Sequence, residues 1–141
     1  MSYIKTALFI IFLTMEGIRD LRERKISMKS VLFFGIVGII TSLPDIRLQW
    51  MSLIGGIAIG VGLLLIAKFT REKVGFGDGW IFTVSGVYLG FYNNLSLFFI
   101  ALFLAAMTSV ALLVFKRVSF KTELPFVSFV LPAYFITVLL R

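Results

Sequence analysis

Leu95-Ser96-Leu97-Phe98-Phe99-Ile100-Ala101-Leu102-Phe103-Leu104-Ala105-Ala106-Met107-Thr108-Ser109-Val110-Ala111-Leu112-Leu113-Val114-Phe115 contains no charged residue. A helix that crosses a bilayer needs about 17–25 predominantly apolar residues, and this run has that length. It is too long and too continuously apolar for a barrel strand, where lipid-facing and lumen-facing side chains alternate. Five further apolar runs accompany it: Tyr3 to Arg19, Met28 to Leu43, Gln49 to Ala67, Val74 to Phe91 and Leu124 to Leu140. The second and fourth are short, which local thinning of the bilayer or snorkelling polar ends would tolerate. Lipid offers no partner for an open backbone, so the runs must be helices or closed barrels. The pattern predicts an all-α, polytopic integral membrane protein: a bundle of six transmembrane helices forming one domain over residues 1–141.

Composition agrees. Hydrophobic residues make up 60% of the 141 and charged residues 15%, against about 45–50% and about 25% in soluble domains. Mean hydropathy is +1.04. The net charge of +7 does not indicate nucleic acid, because the basic residues lie in short clusters between apolar runs and form no basic face. The expected partner is the lipid bilayer. Cysteine and histidine are absent, which removes disulfides, thiolate sites and the commonest metal ligand and neutral-pH base. Catalysis would have to use carboxylates, hydroxyls, lysines or arginines, with no metal and no cofactor.

The connections set the orientation. Pro44-Asp45 ends the second run, since proline cannot continue a helix interior. Asn93-Asn94 is expected to separate the fourth and fifth runs, and Lys116 to Glu123 the last two. Eleven of the fourteen basic residues fall at the first, third and fifth connections. The positive-inside rule places those connections in the cytoplasm and both termini outside. The first run ends in Glu16, Arg19 and Asp20 with no small-residue cleavage site, so it reads as a span and not as a removable signal. Gly56 with Gly60, Gly86 with Gly90, and Ala101 with Ala105 have the small-xxx-small spacing that lets helix backbones approach closely. Trp50 and Trp80 fall near opposite interfaces, as anchoring tryptophans do.

Three of the seven acidic residues are aspartates. Asp45 lies on the outer side. Asp20 ends the first run and Asp78 begins the fourth, so the same topology brings both to one membrane depth. Charge at that depth is costly and marks a functional hypothesis. Two carboxylates and one water can cleave a peptide bond: one takes a proton from the water while the other, protonated, polarises the carbonyl. Close approach keeps both from ionising together. Asp78 follows Gly75-Phe76-Gly77, and glycines permit another chain to come near. The plainer readings are a helix cap at Asp78 and an interfacial ion pair at Asp20 with Arg19, Arg22 or Arg24. Glu16, one turn before Asp20 on the same face, is expected to support the site by tuning Asp20 or lining a wet cavity. It could instead snorkel or pair with Arg19.

Gly75-Phe76-Gly77-Asp78 resembles the GxGD motif of the type IV prepilin and archaeal preflagellin peptidases, which are membrane aspartyl proteases. Asp20-Leu21-Arg22-Glu23-Arg24-Lys25-Ile26 resembles the basic loop after that family's first aspartate, with Ser27 where bacterial members often have proline. Leu124-Pro125-Phe126-Val127-Ser128-Phe129 resembles its late Pro-Phe segment, with Val127-Ser128 in place of Gly-Pro. The resemblance implies Asp20 and Asp78 as the catalytic pair, and Gly75, Gly77, Pro125 and Phe126 as substrate-binding or supporting residues beside Glu16. It implies removal of a short basic leader from prepilin-like membrane proteins of pilus, tight-adherence or flagellin type. Cleavage would occur at the cytoplasmic face of the inner membrane. Longer members carry paired CxxC motifs and methylate the new N-terminus; this chain resembles the short, core-only form. Two other readings remain open: a GxGD protease that cuts within transmembrane helices, and a small transporter or assembly subunit.

Overall fold

A computed structural model describes residues 3–71, 75–115 and 124–140. Among the described residues the protein is all-α. Five helices follow in order: α1 (Tyr3–Glu23), α2 (Met28–Ser42), α3 (Ile46–Phe69), α4 (Phe76–Val114) and α5 (Val127–Leu139). A 3-10 turn at Leu43–Asp45 joins α2 to α3, where Pro44 was expected to stop the helix. The expected Lys116 to Glu123 connection and the start of the fourth run at Val74 lie outside the described residues. Two segments, Gln49–Phe69 and Phe76–Val114, are long and apolar enough to cross a membrane. Large apolar side chains such as Ile11, Leu32, Phe33, Ile54 and Phe103 stay on the surface, as suits a protein whose solvent is hydrocarbon.

The expected boundary at Asn93-Asn94 is not where the chain turns. Helix α4 runs through both asparagines, and its break is at Gly90, with φ +72° and ψ −174°. In a straight helix at 1.5 Å per residue, Phe82 and Phe98 would be about 24 Å apart. Their rings are 5.3 Å apart, and the Asn94 side chain donates to the Phe82 carbonyl at 2.9 Å. Helix α4 is therefore two arms, 76–89 and 91–114, folded sharply against each other. A left-handed φ with extended ψ is nearly confined to glycine, which explains the site of the fold. Asn94 is fully buried because its amide also donates to the Gly56 carbonyl at 2.9 Å. It ties both arms to α3.

Breaking a helix frees backbone groups that lipid cannot satisfy. Here the Phe91 N–H, which in a continuous helix would bond the Val87 carbonyl, bonds Ser52 Oγ at 3.1 Å. The Val87 carbonyl accepts from Ser42 Oγ at 3.3 Å. Two serines from α3 and α2 thus replace the lost bond.

The first arm of α4 packs against α3 almost backbone to backbone. A methyl at Gly56 would strike the Gly86 carbonyl, one at Gly60 would strike Thr83, and one at Gly79 would strike Leu64. The pairs 56 with 86, 60 with 83, and 64 with 79 run in opposite directions, so the two helices are antiparallel. The expected packing role of Gly56, Gly60 and Gly86 is met at this interface. The remaining faces of α4 meet α1, α2 and α5 in one apolar cluster that includes Phe9, Phe12, Phe34, Tyr88, Val130 and Tyr134. Tyr88 stacks on Phe9 with centroids 5.3 Å apart and donates its hydroxyl to the Phe34 carbonyl at 2.9 Å.

Candidate active site

Helix α1 buries one stripe: Lys5, Phe9, Phe12, Leu13, Glu16, Gly17 and Asp20. The spacing is that of a single helical face, and its last two acidic members are carried inward with the phenylalanines. Asp20 is 8% exposed. Its Oδ2 accepts the Val127 N–H at 3.0 Å. Val127 opens α5, whose preceding residue, Phe126, supplies no side-chain cap. Asp20 therefore caps α5 from another helix, and the positive end of the α5 dipole faces its carboxyl group. Arg24 lies within electrostatic range of Asp20.

Pro125 and Phe126 are brought to this point. The Pro125 and Phe126 carbonyls accept the Ser128 and Phe129 amides at 3.3 and 2.9 Å, forming the first turn of α5. The Phe126 ring sits 6.2 Å from that of Phe82 on α4, one turn beyond Asp78. Ser128 Oγ donates to the Gly17 carbonyl at 3.4 Å, which closes the α1–α5 contact beside Asp20.

Asp78 is the third residue of α4. Gly75 holds the cap position and no side chain caps it, so the cap reading of Asp78 does not hold. The Asp78 N–H bonds the Gly75 carbonyl at 3.2 Å. Its carboxylate lies within electrostatic range of Asp20. Residues 20 and 78, on different helices, thus lie toward the same end of the bundle. The opposite end holds the fold at Gly90, where Lys5, Ser42, Gln49, Ser52 and Gly90 line a cavity of about 50 Å³.

The three glycines around Asp78 leave room for three different things. A methyl at Gly75 would sit 3.1 Å from Asp78 Oδ2, one at Gly77 would overlap the end of Ile26, and one at Gly79 would meet Leu64. Gly75 and Gly77 were both expected to shape a peptide-binding edge; at Gly75 the nearest atoms a methyl would meet are those of the Asp78 carboxyl group. The space over Gly77 is filled by the protein's own Ile26.

Glu16 is fully buried. Its Oε2 accepts the Ser27 N–H at 3.1 Å, and its Oε1 has no partner among the described residues. It neither snorkels nor reaches solvent. Sequence reasoning missed Ile26 and Ser27. Ser27 is the cap of α2, with Oγ accepting the Ser30 N–H, and a serine immediately before an apolar run is a legible cap signal. Nothing local marks Ile26, whose role depends on where α4 lies.

Two carboxyl groups, the buried Asp20 anchored by a helix N-terminus and the half-buried Asp78 flanked by glycines, are of a kind that can hold and activate a water beside an approaching backbone. No curated protein and no solved structure matches the chain. A family model described as the Type IV leader peptidase family matches residues 7–110, a stretch that contains Glu16, Asp20, Gly75, Gly77 and Asp78. The chain belongs to the type IV leader peptidase family.

Proposed function

We propose that this protein is an aspartyl endopeptidase that removes the short basic leader of prepilin-like membrane precursors at the cytoplasmic face of the inner membrane. One observation carries the reading. Asp20 and Asp78, 58 positions apart in sequence, come within electrostatic range of each other inside the segment matched by a leader peptidase family.

In this reading the two acids share one proton. The ionised carboxylate takes a proton from water as the water oxygen attacks the scissile carbonyl carbon. The protonated partner donates to the carbonyl oxygen. Collapse of the tetrahedral intermediate breaks the C–N bond, and the amine leaves with the abstracted proton. The amides of Val127 and Ser128 at the start of α5 face the Asp20 carboxyl and hold its orientation toward the water. Gly75 keeps the approach to Asp78 open.

Both arms of α4 cross the membrane in this reading, giving six spans with the termini outside. The basic connections near Arg22 and Arg71 then lie in the cytoplasm, on the side of the acid pair. The substrate's apolar helix stays in lipid while its leader meets the pair at the interface.

The test is processing of a co-expressed prepilin-like precursor. Asp20→Asn and Asp78→Asn should each lower cleavage by about a thousandfold or more while the protein still accumulates in the membrane. Normal processing by either variant overturns the proposal.

A further inference from the structure

Glu16 is more deeply buried than Asp20, at 0% against 8% exposure, and the hydrolytic chemistry above does not use it. Burying a carboxyl costs several kcal/mol in effective terms, and one backbone hydrogen bond does not offset that. An orphaned oxygen in such a place calls for an account.

Its one bond crosses the turn between α1 and α2. The turn is short, and both ends are pinned. At one end Arg24, with a left-handed φ of 51°, donates its N–H to the Asp20 carbonyl at 3.0 Å. At the other, Ser27 donates to Glu16 at 3.1 Å and caps α2 through its hydroxyl. Only Lys25 and Ile26 lie between. With both ends fixed, the Ile26 side chain is seated on Gly77, the residue before Asp78.

We propose that Glu16 is a positioning residue. Acting through the Ser27 amide and the Ile26 side chain, it presses the first turn of α4 into the place where Asp78 faces Asp20. The inference rests on the assignment of Asp20 and Asp78 as the reacting pair. Glu16 spans the gap from the helix bearing one acid to the turn bearing on the other. Its place one turn from Asp20, within electrostatic range, puts the latch and the first acid on one rigid helix. A displacement of about 1 Å at a reacting group can cost about a hundredfold in rate, so a small loosening of α4 is enough to be read.

The experiment uses three single variants of the whole protein and one double variant. Glu16→Leu removes the latch but leaves an apolar side chain of similar size; it also frees the Ser27 N–H, at about 1–3 kcal/mol, so activity is read per folded enzyme. Ile26→Ala removes the seated side chain. Glu16→Gln keeps an acceptor for the Ser27 amide. Glu16→Leu and Ile26→Ala should each lower kcat by about 10–100-fold with little change in KM, and Glu16→Gln should recover most of that loss. The double variant Glu16→Leu with Ile26→Ala should be no worse than either alone, because both cut the same connection. Without any substrate, amide exchange in the first turn of α4 should speed up in Glu16→Leu and Ile26→Ala and stay slow in Glu16→Gln.

Additive losses, unchanged exchange at the first turn of α4, or activity that merely follows the folded fraction would overturn the inference. The Asn variants of Asp20 and Asp78 separate the two questions. If they are inactive while Glu16→Leu and Ile26→Ala work normally, only the positioning role fails. If they are active, the acid-pair reading itself fails.

Discussion

Gly77 is the residue whose missing side chain carries the most information. A methyl there would overlap the end of Ile26, so alanine at 77 must push the α1–α2 turn away or shift Asp78. Gly77→Ala should lower cleavage by about 10–100-fold. Adding Ile26→Ala makes room for the methyl, and the double variant should exceed Gly77→Ala alone. A double variant no better than the single would show that Gly77 serves an approaching substrate and not the packing of Ile26. Rates of leader removal per folded enzyme check this directly. Gly75 has a different reason: its hydrogen leaves the Asp78 carboxylate free, with a methyl only 3.1 Å from Oδ2. The same letter in one motif thus answers to two separate contacts.

At the scale of an element, α4 is held by its break. The conformation at Gly90 costs a residue with a side chain about 1–3 kcal/mol, and a Cβ there would also fall on Ser52 Oγ. Gly90→Ala should therefore lower the melting temperature in detergent. Ser52→Ala removes the acceptor that replaces the lost helical bond of Phe91 and should cost about 1–3 kcal/mol for the orphaned N–H. An unchanged thermal midpoint in both would mean that the reversal does not depend on these groups. Helix α5 depends on Asp20 in the same way, since no residue of its own caps it. Some stability will be lost in any Asp20 variant that cannot accept from Val127, which is why asparagine, and not alanine, is the informative replacement.

At the scale of the molecule, the α3 and α4 pairs and the cavity at the Gly90 end place the acid pair and the Gly90 fold at opposite ends. The absence of cysteine makes this easy to check, because single cysteines report sidedness without a background. Lys25→Cys and Arg71→Cys should react with an impermeant maleimide only after the cytoplasmic face is opened. Tyr92→Cys, just past the fold and 78% exposed in the wild type, should react from outside. Labelling of positions 25 and 92 from the same side would overturn the arrangement of six spans with the acid pair inside.

The amino-acid order alone fixed the lipid-like solvent, the secondary structure class and the shortlist of candidate carboxylates. Continuous apolar runs leave a chain no alternative in lipid but helix, and a chain without histidine or cysteine has few groups left for hydrolysis. Basic clusters around Arg22 and Arg71 sufficed to put residues 20 and 78 at one expected depth, because the charge rule acts on each loop independently of packing. Local signals misplaced the turn in α4: Asn93-Asn94 looks like a loop, yet Asn94 is a buried crosslink. Which polar residue faces inward depends on the partner helix that meets it. Tertiary structure alone decided that Gly90 is the fold point, that Asp20 caps α5, that Ile26 covers Gly77 and that Glu16 ends buried on Ser27. Each of these joins residues distant in sequence or fixes a direction that no local pattern encodes, because a side chain's neighbours are set by the packing of whole helices.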